Sequence, residues 1–192
     1  MFSGVENLVH LSRTTKIILF SISKFIFHSR TQSYRHMHFA KMISTFFGIG
    51  YIKKGGGTVA AAITCLIWYI IATNLYIPGN NLWIETAVIL LIFGVGIWSG
   101  NRVETIWGED SYRVVLDEVL GMCISLFAIP VGWKTCIAAL ILFRIFDIVK
   151  PLYIKKMERF AGGWGVMLDD ALAGIYANIV LQIILVLTPI LR

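Results

Sequence analysis

Residues 58–77, TVAAAITCLIWYIIATNLYI, carry no charged side chain over about one bilayer thickness of helix. Such a run must meet lipid or a large apolar interior, and a 192-residue chain is too small to bury several of them. A second run, 82–98, holds Glu85 as its only charge, and the breaker cluster Pro78-Gly79-Asn80-Asn81 separates the two. Residues 114–129 and 133–149 form a shorter apolar pair broken at Pro130-Val131-Gly132, and 166–190 is a last long apolar stretch. With 57% hydrophobic residues, 15% charged residues and a mean hydropathy of +0.77, a soluble globular domain is excluded. The pattern predicts an all-α, polytopic membrane helical bundle of about four to five short spans. Residues 114–129 are short for a crossing, so a tilted or re-entrant element is the alternative there.

Lys and Arg concentrate in the N-terminal region, around 99–113 and around 150–160, whereas the opposite turns hold little beyond Lys134. By the positive-inside rule, five spans with the N-terminus in the cytoplasm satisfy this asymmetry. The net charge of +6 suits anionic lipid headgroups; no basic run interleaved with aromatics suggests nucleic acid. Residues 1–42 are expected to form a basic amphipathic extension lying on the membrane, and 43–192 the membrane-embedded helical domain. His10, His28, His36 and His38 all fall in or beside that extension and read as surface residues. Cys65, Cys123 and Cys136 are isolated in apolar runs and read as core packing.

Six of the eleven acidic residues, Asp110, Asp117, Glu118, Asp147, Asp169 and Asp170, lie at the ends of apolar segments, all on the side assigned to the cytoplasm. Intramembrane carboxylates need partners, water or a metal. Asp117 and Glu118 point about 100° apart on a helix, and Gly121 leaves room one turn on; alone, such a pair reads first as a solvated helix end. Arg144, Asp147 and Pro151 share one face at i, i+3 and i+7, with Lys150 close by; an Arg144–Asp147 pair is equally readable as purely structural. In GGWGVMLDDALAG the glycines suggest a flexible entry to a helix opened by Asp169 and Asp170, with Gly174 one turn past Asp170. The helix dipole accounts for one acid there and leaves the second unexplained. Adjacent carboxylates in a partly dry setting repel, and a divalent cation is the natural compensation; oxygen ligands without His or Cys favour Mg²⁺ over Zn²⁺.

Gly48, Gly50 and the run Lys53-Lys54-Gly55-Gly56-Gly57-Thr58 precede a helix. Backbone N–H groups of such glycines can donate to an anion, with Lys54 and Thr58 adding a charge and a hydroxyl. The Gly-Lys-Thr order of a P-loop is absent. Beside a cation site, the element points to phosphoryl chemistry on a lipid.

The motifs GIGY…GGGT, VVLDEVLGM, LFRIFDIVKP and GGWGVMLDDALAG resemble those of the phosphatidylglycerophosphatase A family, in the same order from Gly48 to the final helix. The resemblance implies a Mg²⁺-dependent bacterial inner-membrane enzyme that hydrolyses phosphatidylglycerophosphate to phosphatidylglycerol and phosphate, with its active site facing the cytoplasm. It implies Asp117, Glu118, Asp147 and Asp170 as catalytic residues, and Asp117, Glu118, Asp147, Asp169 and Asp170 as the pool of metal ligands. It also implies Lys54, Gly57, Thr58, Arg144 and Lys150 as phosphate-binding residues. Base and ligands stay unassigned among the carboxylates. Neither a Cys-x5-Arg loop nor a D-x-D-x-T motif is present, so a covalent phospho-enzyme is not expected. The rival reading is a non-enzymatic membrane protein whose acids line a cation pathway, which would place acids at several depths.

Overall fold

The computed structural model describes residues 36–74, 82–109, 111–157 and 159–188. The chain divides into two units, Met1–Phe39 and Ala40–Arg192, and the elements below belong to the second. They are α1 (Gly56–Asn74), α2 (Leu82–Trp107), α3 (Leu116–Leu126), α4 (Trp133–Val149), the short α5 (Ile154–Met157) and α6 (Gly163–Leu187), preceded by a 3-10 turn at Ile49–Tyr51. No strand occurs among the described residues. Most of the expected amphipathic extension, with His10, His28 and the turn Pro78–Asn81, lies outside them, as does Asp110.

Among the described residues, three helices are long and apolar enough to cross a membrane: α1, α2 and α6. The buried residues of α1 and α2 form narrow stripes of mostly small side chains, Gly56, Ala60, Ala61, Thr64 and Cys65 on α1 and Gly96, Ser99, Gly100 and Val103 on α2. The remaining faces present Leu66, Ile70, Leu90, Leu91 and their neighbours outward. This is how apolar helices associate where lipid is as apolar as leucine: small residues let backbones approach, and large ones face the tails. Backbones come close where α3 crosses α6, and α4 packs against the same glycine of α3. A Cβ on Gly174 would stand 2.4 Å from the Gly121 carbonyl oxygen, and one on Gly121 would meet the Phe143 ring at 2.3 Å.

The 11-residue α3 spans only about 16 Å and cannot cross a bilayer, yet eight of its residues are buried. It is the central strut, packed among α1, α2, α4 and α6, with Met122, Leu126, Phe143, Ala173, Ala177 and Leu181 sharing one core. Ending a helix inside an apolar bundle leaves backbone groups that need partners. Asn178 of α6 supplies them, its amide donating to the carbonyls of Ser125 (3.1 Å) and Phe127 (2.8 Å). Glu85 of α2 accepts the Ala128 N–H at 3.0 Å, which gives the lone charge of the second apolar run a structural task. All three cysteines are buried and free, as core packing requires.

Three local expectations are corrected. The connection expected after Trp98 is helical to Trp107, because Ser99 and Gly100 are small contact residues of α2 and the first backbone break is Gly108 at φ +80°. Of the glycines expected as a flexible entry, Gly162 precedes the helix at φ +69° while Gly163 and Gly165 are helical: Gly163 opens α6, and a Cβ there would lie 2.7 Å from the Ile97 carbonyl oxygen. Asp169 and Asp170 therefore sit about two turns inside α6, beyond the first-turn reach of the helix dipole. Finally, α4 stops at Val149, and Lys150 takes a left-handed conformation (φ 47°), so Pro151 leaves the helical face it was expected to share.

Candidate active site

Antiparallel helices bring four ends to one side of the bundle: the starts of α1, α3 and α6 and the end of α4. Between them lies a cavity of about 230 Å³. Of the residues singled out from sequence, Gly57, Asp117, Glu118, Arg144, Asp147, Lys150, Asp169 and Asp170 all line it. Lys54 and Thr58 do not; both are exposed, and Lys53 lines the cavity in place of Lys54. Lys53 carried no signal of its own, since two adjacent lysines before a glycine turn cannot be told apart without the turn's geometry.

The start of α3 places Asp117 and Glu118 in the first helical turn, where the dipole favours negative charge. Glu118 reaches toward α1 so closely that a Cβ on Gly57 would fall 1.7 Å from its Oε1. Gly57 is glycine because a carboxylate occupies the space of a side chain. Gly48 (φ +100°) and Gly50, where a Cβ would strike the Arg113 carbonyl oxygen at 1.9 Å, serve a turn and a backbone contact.

The acids separate into two sets. Asp147 bonds Arg144 at 2.5 Å, and Asp169 bonds Lys150 at 2.6 Å, so each has a cationic partner. Asp169 also accepts the Asp170 N–H at 3.0 Å. Asp117, Glu118 and Asp170 form the other set, with one carboxylate oxygen from each lying within 4.8 Å of the others. Asp117 Oδ1, Glu118 Oε2 and Asp170 Oδ2 are buried without a hydrogen-bond partner, and Arg144 stands 3.9 Å from Glu118. Buried carboxylate oxygens left unpaired are costly, and converging ones repel. An all-oxygen set of this kind fits a hard divalent cation such as Mg²⁺. Arg144 Nε is likewise buried and unpartnered, on the cavity wall.

The phosphatidylglycerophosphatase A family model matches residues 42–185. The chain belongs to that family. Its relatives include a Haemophilus influenzae phosphatidylglycerophosphatase A, 35% identical over 72% of this chain and 84% of that protein. The Escherichia coli phosphatidylglycerophosphatase A is 29% identical over 74% of this chain and 81% of its own length. A Bacteroides thetaiotaomicron protein provisionally named phosphatidylinositol-3-phosphatase is 46% identical over 74% of this chain and 91% of its own length. No solved structure matches. Family membership makes the chain an enzyme, a phosphatase of phospholipid metabolism, and with α1, α2 and α6 a membrane protein.

Proposed function

We propose that this phosphatase hydrolyses the terminal phosphomonoester of phosphatidylglycerophosphate, yielding phosphatidylglycerol and phosphate for phospholipid biosynthesis, with Mg²⁺ held by Asp117, Glu118 and Asp170. The observation that carries this reading is the convergence of Asp117, Glu118 and Asp170, each with one buried, unpartnered carboxylate oxygen, beside two cationic side chains at one end of a membrane bundle. A bound Mg²⁺ would supply Lewis-acid polarisation of the phosphoryl group. Arg144 and Lys150 face the phosphoryl oxygens and offset their charge, Arg144 offering its free Nε–H. Asp147, oriented by Arg144 and outside the three-oxygen set, is the base that takes a proton from the attacking water. The phosphorus–oxygen bond to the lipid then breaks, the lipid oxygen takes up the proton that Asp147 removed from the water, and the lipid alcohol leaves toward the bilayer.

The site end also carries Lys41 and Arg113 against Trp107, and Lys156 against Tyr153. Lys/Arg excess and an aromatic girdle favour the cytoplasmic face of a bacterial inner membrane, beside anionic lipids. A second substrate, phosphatidylinositol 3-phosphate, is favoured by the name of the 46% identical Bacteroides relative. Phosphate release from each lipid by the purified protein, with and without Mg²⁺ and beside Asp170→Asn and Asp147→Asn, tests the reading. No release from wild type, or undiminished release from both variants, rejects it.

A further inference from the structure

A second cavity, of about 310 Å³, opens beside the first and is not used by the chemistry above. Its walls are the site-end half of α2, the α2–α3 connection and the segment from Arg159 into α6. Ser111, Val114, Val166 and Asp169 line both cavities, so the two adjoin. Its volume is in the range of small-ligand sites. Its wall is a built one: Asn101 of α2 accepts the Gly163 N–H at 2.7 Å and ties down the chain that enters α6. At Gly162 (φ +69°) a Cβ would come within 2.2 Å of Asn101 Oδ1 and 3.1 Å of Glu104 Oε2, so the backbone turns hard against these side chains. The inner part is apolar and small, with Gly96, Gly100, Val103 and Met167, while Glu104, Glu109 and Arg159 stand toward the site end. Arg159 makes no ion pair among the described residues.

A lipid phosphomonoester with its terminal phosphate in the acid-lined cavity must put the rest of its headgroup somewhere adjacent. That remainder is a polyol joined to a phosphodiester, which carries one negative charge, hydroxyls, and an apolar tail beyond. The second cavity offers a cation for the diester, carboxylates that accept from hydroxyls, and an apolar slot between two lipid-facing helices. We propose that the cavity between α2 and the start of α6 is the subsite for the polyol-phosphodiester part of the lipid headgroup, with Arg159 pairing to the diester. The inference rests on the lipid-phosphatase reading for its ligand, and Arg159 is in it a specificity residue that leaves the bond-breaking steps untouched.

The test compares wild type with Arg159→Ala and Arg159→Lys, both exposed-site changes that leave the core intact. On whichever lipid phosphate the wild type hydrolyses, Arg159→Ala is expected to raise KM about tenfold with kcat within about twofold, and Arg159→Lys to restore most of the loss. Independently of turnover, binding of phosphatidylglycerol in detergent micelles, which has the diester and no phosphomonoester, is followed by tryptophan fluorescence beside micelles of diacylglycerol. Arg159→Ala should weaken phosphatidylglycerol binding about tenfold, and diacylglycerol binding not at all. Unchanged KM with unchanged phosphatidylglycerol binding overturns the proposal, as does an equal loss on both micelles. If the wild type hydrolyses neither lipid while phosphatidylglycerol binding still depends on Arg159, the hydrolase reading falls and the diester subsite stands.

Discussion

Gly174→Ala is the sharpest single perturbation of this architecture. The added methyl would lie 2.4 Å from the Gly121 carbonyl oxygen and 3.1 Å from the Gly121 Cα, both backbone atoms that cannot rotate away. Ordinary contact begins at 3.4 Å, so α3 and α6 must part by roughly 1 Å. Overpacking of this kind costs about 1–3 kcal/mol. The same displacement reaches the site, because Asp170 lies one turn before Gly174 on α6 and Asp117 one turn before Gly121 on α3. Their oxygens belong to one cluster spanning no more than 4.8 Å, and moving them apart by about 1 Å degrades both cation binding and alignment. A misplacement of that size is worth roughly 10²-fold in rate. Phosphate release and thermal unfolding in detergent should therefore show kcat down by about two orders of magnitude and a lowered midpoint. Gly94→Ala on α2 is the control, since nothing lies within 4 Å of its Cβ, and it should behave as wild type. Wild-type kcat and midpoint in Gly174→Ala would refute the claim that this crossing sets the site.

Asp170→Asn should raise the thermal midpoint in the absence of Mg²⁺, because it removes one of three crowded charges whose pairwise repulsion is about 3–4 kcal/mol at an effective dielectric near 20. The same variant should lose the Mg²⁺-induced rise in midpoint, and a retained rise would count against Asp170 as a ligand. Arg144→Lys keeps the charge and loses the guanidinium that bonds Asp147 at 2.5 Å and approaches Glu118 at 3.9 Å; kcat should drop by about 10–100-fold while the Mg²⁺-induced shift survives. Asn178→Ala strips the Ser125 and Phe127 carbonyls of their donor, and unfolding measurements should show a loss of about 1–3 kcal/mol with kcat changed far less.

The apolar runs were legible as helices because periodicity and length alone decide that a 20-residue uncharged stretch is helical in lipid. The acids, Arg144 and Lys150 were legible as a group because charge is conspicuous where every neighbour is apolar. What α3 is could not be read so easily: 114–129 looks like a short span, and only its burial on every side and its capping by Asn178 and Glu85 make it an internal half-helix. Gly57 was expected to turn its backbone to an anion and Gly121 to leave space for a close neighbour or a ligand; Glu118 fills the first space and the Phe143 ring the second, while Gly174 lies at a helix crossing. Glycine spacing shows that something comes close and leaves open what it is.

Taken by itself, the amino-acid order determined that this chain lives in a membrane as helices and that its acids gather on one side, since hydropathy and charge act along the chain without reference to distant partners. Tertiary structure alone decided how those acids divide, with Asp147 and Asp169 each held by a cation, and Asp117, Glu118 and Asp170 left facing one another. That division depends on which helices cross and how closely, to within an ångström or so. Such distances follow from the packing of residues far apart in the chain, and no local pattern encodes them.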